Sequence, residues 1–300
     1  MKLLLLLSIT ASLDNFCDAF NKKIKAYYWG QVVCRPSTWE YNDEYITPGG
    51  HSLPFKVVDF PPVKSVTLVM CGIHGDELPS PFICIHLIRD MLFDNPSLYK
   101  NARIIVAPLV NPDSFFKDKP TRTNGRGVDI NRNFPTSDFE EKAISEWKSK
   151  YRSDKRKYPG DGPASEIETK FQIMLINKYK PNKIISVHSP LGWLDVDSPM
   201  EVGDDGSGVP FHLIDESKNV ADLMSKHSND YPVKNFLTYP GSLGKYAALE
   251  NNIPTYTLEL PTSDSHLAYK YWKLVHKGLI SAINYEMTPL EKKKKDTEKN

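Results

Sequence analysis

The stretch 65-SVTLVMCGIHGDELPSPFICIHLIRDMLF-93 joins two apolar runs through a short polar turn. Its first run, 65–71, predicts a buried strand, because continuous β-branched and apolar residues are typical of strands covered on both faces. Pro79 and Pro81 favour the first turn of a helix, where the missing N–H of proline costs nothing. The turn places His74 and Glu77 where strand meets helix, either as ordinary turn residues or as half of a metal site.

Three further β-branched runs predict strands, and helical patterns separate them. They span 103–109, 183–188 and 255–260. Alternation of strands and helices favours an α/β fold with a mainly parallel sheet. In such sheets ligands bind beyond the carboxyl ends of the strands. Because His74, Asn111, His188 and Glu259 end or follow predicted strands, we expect them at one edge of the sheet.

Composition bounds the class of protein. The chain has 300 residues, 38 Lys+Arg and 37 Asp+Glu, so its formal net charge is +1. This balance favours neither nucleic acid nor an anionic membrane as a partner. No apolar run reaches the roughly 18 residues that predict a membrane span. Nothing in the sequence indicates an oligomeric state.

The domain boundaries follow from changes in composition. Residues 61–287 predict a single catalytic domain, and 20–60 a lead-in that covers one edge of the sheet. The charge-dense run 288–300 predicts a disordered tail.

The N-terminus resembles a secretory signal peptide. Lys2 precedes an apolar run within 1-MKLLLLLSITASL-13, and 17-CDA-19 allows cleavage after Ala19. Residues 1–19 are therefore predicted to be a signal peptide, and the protein to be periplasmic or secreted in a bacterium. The alternative is an N-terminal strand or helix of the fold.

Cleavage after Ala19 would leave Cys34, Cys71 and Cys84. Three cysteines predict no disulfide framework, and we expect Cys71 and Cys84 to be ordinary buried core residues.

His74, Glu77 and His188 form a candidate metal-binding set. Two imidazoles and one carboxylate with an open fourth position are typical of catalytic zinc. The H-x-x-E spacing alone is a weak indication. Alternatively, His74 is an ordinary residue of a polar turn, and Glu77 is a carboxylate at the start of a helix, where the helix dipole favours it.

Five motifs in order strengthen this interpretation. They are HGDE (74–77), NPDS (111–114), RTNGRGVDINRNFP (122–135), HSP (188–190) and TLELP (257–261). Together they resemble the zinc metallocarboxypeptidase family, and most of all its bacterial murein peptide amidase branch. The resemblance implies one zinc ion per chain, with His74, Glu77 and His188 as ligands. It also implies a mixed sheet of about eight strands flanked by helices.

The same resemblance implies the catalytic roles. Glu259 matches the general base, and Arg122, or alternatively Arg126, matches the arginine that polarises the scissile carbonyl. Asp129 matches the acid that orients the first zinc histidine.

It implies a binding site for the C-terminal carboxylate of the substrate as well. Asn131 and Arg132 match the pair that grips this carboxylate, which suits the planar fork of arginine. Tyr239 matches only loosely the mobile tyrosine that covers bound substrate in digestive members. Tyr246 is the alternative, and a core tyrosine is equally compatible.

The substrate implied by the amidase branch is a cell-wall peptide cut at its γ-D-glutamyl–diaminopimelate bond. The leaving diamino acid predicts a pocket with both signs of charge. Candidate residues are Trp193, Asp195, Asp197, Gly241 and Ser242, although a solvated acidic loop explains the aspartates too. The alternatives are a carboxypeptidase for ordinary peptides, an acyl-amino-acid deacylase of aspartoacylase type, and a non-catalytic binding protein.

Overall fold

A computed structural model describes residues 16–30, 34–198 and 211–287, with only the backbone described for 211–214. The charged tail at 288–300 and most of the predicted signal peptide, residues 1–15, lie outside the described residues.

The described residues contain one mixed sheet of seven strands, where the family resemblance implied about eight. The strands are β1 (Lys56–Phe60), β2 (Ser65–Cys71), β3 (Ala102–Ala107), β4 (Lys183–His188), β5 (Leu194–Asp197), β6 (Val233–Lys234) and β7 (Thr255–Glu259). Their order is β1-β3-β2-β4-β7-β5-β6. Strands β3, β2, β4 and β7 run parallel, whereas β1 and β5 pair antiparallel with β3 and β7. The predicted mainly parallel sheet is therefore confirmed.

Helices cover both faces of this sheet. They are α1 (helical over 16–24), α2 (Pro79–Arg89), α3 (Pro112–Phe115), α4 (Ile144–Ser149), α5 (Ile167–Tyr179), α6 (Phe211–Lys226) and α7 (Ala268–Asn284). Alternation along β2 separates two cores: Val69 and Cys71 pack with α2 and α7, whereas Leu68 and Met70 pack with α5. All four of these β2 side chains are buried, which explains the continuous apolar run.

The stretch predicted as a lead-in contributes an edge of the sheet. Strand β1, at 56–60, pairs with β3 over its whole length. Isolated bridges join Glu40 to Phe55 and Ile46 to Ser52 just before it.

The N-terminal helix α1 packs into the main core. Phe16 and Phe20 are buried, and Phe20 stacks on Phe115 with ring centroids 6.0 Å apart. Cys17 forms a disulfide with Cys34. The predicted cleavage point after Ala19 thus falls inside this helix, and cleavage there would remove Phe16 and Cys17 from the core.

A second disulfide joins Cys71 at the end of β2 to Cys84 in α2. The prediction that these two cysteines are unpaired core residues was therefore wrong, although both are buried. It failed because the assumed cleavage removed Cys17, and the odd number that remained argued against pairing.

Among the described residues, no helix combines the length and apolar character needed to cross a membrane.

Candidate metal centre

The predicted ligands His74 and Glu77 lie in a tight turn between β2 and α2. Gly72 opens this turn with φ +61°, and a Cβ there would lie 2.6 Å from the Leu109 side chain. Glycine is therefore required both by the backbone and by the packing. Ser80 fixes the turn from α2, because its hydroxyl accepts from Gly72 N at 2.9 Å and donates to Val187 O at 2.6 Å.

His74, Glu77 and His188 meet in the interior. Glu77 Oε1 lies 2.7 Å from His74 Nδ1, and Glu77 Oε2 lies 2.8 Å from His188 Nδ1. The two Nδ1 atoms are 3.1 Å apart. All three side chains are buried, and one ligand atom from each lies within 4.8 Å of the others. Three converging, desolvated donors of this kind fit a zinc ion with an open position.

The far side of each imidazole is held by a second group. His74 Nε2 lies 3.1 Å from Asp129 Oδ1, and His188 Nε2 lies 2.9 Å from Ser186 Oγ. Such partners place the proton on Nε2 and direct the Nδ1 lone pair at the metal position. Sequence reasoning anticipated Asp129 but missed Ser186. The signal was a hydroxyl two residues before His188 in a buried strand, hence on the same face.

Asp129 also binds an arginine. Its Oδ2 accepts from Arg122 Nε at 2.9 Å, and Arg122 Nη1 lies 3.5 Å from Glu77 Oε1. Burial alone would raise the pKa of Asp129, but Arg122 and His74 hold it well below its usual range. The carboxylate therefore stays ionised and orients both neighbours.

The structure separates the two candidate arginines. Arg122 forms ion pairs with Asp129 and Glu77 and so lies beside the metal centre. Arg126 is half exposed and lies 3.7 Å from Asp161 and Glu166, away from that centre.

Glu259 lies beside His188 because β4 and β7 pair in that register. Its Oε2 accepts a hydrogen bond of 3.4 Å from Leu191 N. Burial raises the pKa of Glu259 to about 7, with His188 opposing and Glu77 adding to the shift. A carboxyl with a pKa near neutrality can both accept and return a proton.

The pair Asn131–Arg132 lies in a short 3-10 turn, Ile130–Arg132, directly after Asp129. Asn131 Oδ1 accepts from Leu243 N at 2.9 Å, and Arg132 Nη1 donates to Asn131 O at 2.7 Å. Arg132 Nε is buried and has no hydrogen-bond partner among the described residues. An unpaired buried donor is costly, so this atom suits an incoming carboxylate.

Of the two candidate tyrosines, only Tyr239 reaches this arginine. The Tyr239 ring centroid lies 4.4 Å from Arg132 Cζ. Tyr246 instead packs on Phe134, with ring centroids 5.4 Å apart, as a core residue would.

The predicted pocket residues divide into two groups. Trp193 directly precedes β5, and Asp195 lies on it. The Trp193 ring packs against Phe236, and the backbone N–H of Phe236 donates to Asp195 Oδ1 at 3.0 Å. Ser242 Oγ instead accepts from Lys245 N at 3.2 Å, so its hydroxyl caps the following turn.

Two other polar residues near the metal centre are structural in the described contacts. Asn111 caps α3 by accepting from Ser114 N at 3.2 Å and donates to Ile73 O at 3.3 Å. Asp76 pairs with Arg156 at 2.7 Å and is not one of the three converging groups.

Comparison with known proteins agrees with this geometry. The family description zinc carboxypeptidase (Peptidase M14) matches residues 56–276. The chain therefore belongs to the zinc carboxypeptidase family.

Three curated relatives carry the name murein peptide amidase A. The one from Escherichia coli K12 is 32% identical over 139 residues, which cover 46% of this chain and 54% of that protein. The one from Vibrio campbellii is 28% identical over 204 residues, covering 67% and 71%. This chain thus matches only about half the length of the first relative.

Solved structures share the fold. Murein-tripeptide amidase MpaA from Escherichia coli O157 aligns with a TM-score of 0.57 and 24% identity, covering 81% of this chain and 91% of that one. Bovine thrombin-activatable fibrinolysis inhibitor aligns with a TM-score of 0.63 and 18% identity, covering 91% and 95%.

Proposed function

We propose that this protein is a zinc-dependent peptidase that removes one residue from the free carboxyl end of a peptide. The observation that carries this proposal is the buried His74–Glu77–His188 group, with Glu259 on the neighbouring strand. A zinc ion held by these three residues would supply a Lewis acid beside the scissile carbonyl.

The chain's own residues supply the remaining steps. Arg132 and Asn131 bind the terminal carboxylate and so set which peptide bond reaches the metal centre. Arg122 stabilises the negative charge that develops on the carbonyl oxygen. Glu259 accepts a proton from the attacking water and returns it to the leaving amine. Asp129 holds His74 and Arg122 in place throughout.

We further propose that the substrate is a murein peptide cut at the γ-D-glutamyl–diaminopimelate bond. The names of the three relatives support this choice. The charges around the carboxylate site also support it, because Arg132 lies close enough to Asp197 of β5 for their charges to interact. Diaminopimelate carries two carboxylates and two amines, so both signs of charge have a partner. An ordinary carboxypeptidase is the second candidate, since Arg132 can grip any terminal carboxylate.

We also propose that the protein works outside the bacterial cytoplasm. Two disulfides, Cys17–Cys34 and Cys71–Cys84, support this location, because disulfides persist in oxidising compartments. Any cleavage that retains the first disulfide must precede Cys17. The substrate would then be periplasmic or wall-attached peptides.

The test is mass spectrometry of defined murein tri-, tetra- and pentapeptides after incubation with the zinc-loaded enzyme, with and without a chelator. Release of diaminopimelate from the tripeptide alone supports the amidase. Release of ordinary C-terminal residues from unmodified peptides replaces it with the second candidate.

The matched variant is Glu259→Gln, which keeps the shape of the side chain. It should lose turnover by a factor on the order of 100 or more, as removal of a general base does, while still binding zinc. Undiminished turnover in Glu259→Gln would contradict the assigned mechanism.

A further inference from the structure

Strand β5 presents two carboxylates to the face of the sheet that carries the metal centre. Leu194 and Val196 are buried in the core formed with α6 and α7. Alternation along the strand therefore places Asp195 and Asp197 on the opposite face.

The pairing of β5 with β7 locates these carboxylates relative to the base. Asp195 lies opposite Thr257 and Asp197 opposite Thr255, on the antiparallel partner that ends with Glu259. Thr255 is four residues from Glu259, or about 13 Å at the usual rise of a strand. Glu259 and Asp197 thus bracket an interval that suits a long side chain of the leaving residue.

The two aspartates differ in what they bind. The Asp195 carboxylate accepts a hydrogen bond from Phe236 N at 3.0 Å. Among the described residues, no hydrogen bond reaches the Asp197 carboxylate. Arg132, the residue assigned to the terminal carboxylate of the substrate, lies near enough to Asp197 for its charge to act on that acid.

Space for the Asp197 carboxylate depends on the loop 239–244. A Cβ on Gly244 would lie 2.0 Å from Asp197 Oδ2, so glycine is required for the acid to sit there. That loop also contacts the carboxylate site, because Leu243 N donates to Asn131 Oδ1. Asp197 and the binding site for the terminal carboxylate therefore adjoin the same loop.

A purely structural acid is a poor explanation for Asp197. Burial raises its pKa to about 8, and neighbouring Asp195 adds to the shift against the opposing charge of Arg132. Ionising this carboxyl without a hydrogen-bond donor is therefore costly, so the acid is mainly protonated near pH 7 while no ligand is bound. A cationic group from a ligand would remove that cost.

We propose that Asp197 is a specificity residue that binds the ammonium group on the side chain of the leaving residue. This inference rests on the proposed function for its site, since Arg132 must hold the terminal carboxylate of the same residue. The ligand class is an amino acid with a long side chain that bears an amine, of which diaminopimelate and lysine are members.

The test compares substrates that differ only in that amine. One pair is the murein tripeptide ending in diaminopimelate and its analogue ending in 2-aminopimelate. The other pair is an ordinary peptide ending in lysine and its counterpart ending in norleucine. Wild-type enzyme should prefer the amine-bearing member in kcat/KM by roughly 30-fold, the value of a desolvated charge pair.

The variant Asp197→Asn should remove this preference, mainly by raising KM for the amine-bearing member. Its activity on the 2-aminopimelate or norleucine member should stay within about 3-fold of wild type, because that member offers Asp197 no cation and asparagine keeps the shape of the side chain. The matched control is Asp161→Asn, because Asp161 is an exposed acid that lies beside Arg126, and this variant should keep the preference. Zinc content and melting temperature establish that each variant is folded.

The kinetic results distinguish a specificity role of Asp197 from a structural one. A wild type without preference overturns the inference before any variant is made, and so does an equal loss on both members of a pair. Preference confined to the lysine pair contradicts the murein substrate but supports Asp197. If no peptide is cut, calorimetric titration of the zinc-loaded protein with free lysine and norleucine replaces turnover; equal affinities overturn the inference.

Discussion

Replacement of Asp129 by asparagine isolates the group that orients the metal centre. The Asp129 side chain is fully buried; it lies 3.1 Å from His74 Nε2 and accepts from Arg122 Nε at 2.9 Å. Asparagine keeps the shape but has only one acceptor oxygen. It therefore cannot serve both neighbours, and it carries no charge to favour Nδ1 coordination by His74.

The expected loss of zinc affinity follows from comparable partners of metal-bound histidines. Such changes weaken metal binding roughly 10- to 100-fold, or about 1.4–2.7 kcal/mol. A second cost falls on the metal-free fold. Arg122, only 19% exposed, would keep Glu77 at 3.5 Å as its remaining acidic partner among the contacts above. Breaking a buried pair costs about 3–5 kcal/mol, and the residual contact with Glu77 favours the lower end.

The assay is competition for zinc against a chromophoric chelator, together with melting of the metal-free protein. Asp76→Asn is the matched control, because Asp76 lies in the same turn but pairs with the exposed Arg156. A surface pair contributes about 0–1 kcal/mol, so zinc affinity should hardly change in this control. Wild-type zinc affinity in Asp129→Asn, or an equal loss in Asp76→Asn, would refute the reasoning.

Three further predictions concern the oxyanion, the buried lysine and the second disulfide. Arg122→Ala should lower kcat by on the order of 100-fold, whereas Arg126→Ala should change it little, as measured by steady-state kinetics. A large loss of kcat in Arg126→Ala alone would assign oxyanion stabilisation to Arg126 instead. Burial lowers the pKa of Lys183 to about 7, below its unfolded value, so the unfolded state binds more protons between pH 7 and 10. The free energy of unfolding should then rise with pH by up to about 1.4 kcal/mol per pH unit. Urea titrations at several pH values should show a smaller rise in Lys183→Met; an equal rise in both proteins would exclude Lys183 as its origin. Removing the disulfide by replacing Cys71 and Cys84 with alanine should cost about 3 kcal/mol, measured by thermal melting; an unchanged melting temperature would exclude a stabilising role.

Much of the fold follows from hydrophobic pattern alone. The β-branched runs at 65–71 and 183–188 correspond residue for residue to β2 and β4, because strands buried on both faces form nearly continuous runs instead of alternating with exposed polar residues. Strand β1 was harder to predict. Its residues 56-KVVDF-60 are mostly half exposed at the edge of the sheet, and such strands lack a continuous apolar signal.

The cysteine pairs lay beyond what one sequence can reveal. A disulfide requires its two Cα atoms to approach closely, here 5.0 Å for Cys17–Cys34 and 6.1 Å for Cys71–Cys84. The second pair forms because α2 packs back against β2, which is a tertiary relationship. The first involves a helix whose residues 17–19 also fit the cleavage region of a signal peptide, so the two interpretations compete for the same residues.

The hydrophobic pattern does not distinguish the two acids of the proposed specificity pocket, Asp195 and Asp197. Alternation along β5 places Asp195 and Asp197 on one face, so the sequence predicts them as equivalent acids. They differ only through remote contacts: Phe236 binds Asp195, while Gly244 leaves room for Asp197. Neither Phe236 nor Gly244 is near β5 in the chain. The free acid is therefore distinguished by how two distant loops meet the strand, and its role in specificity emerges only in the folded protein.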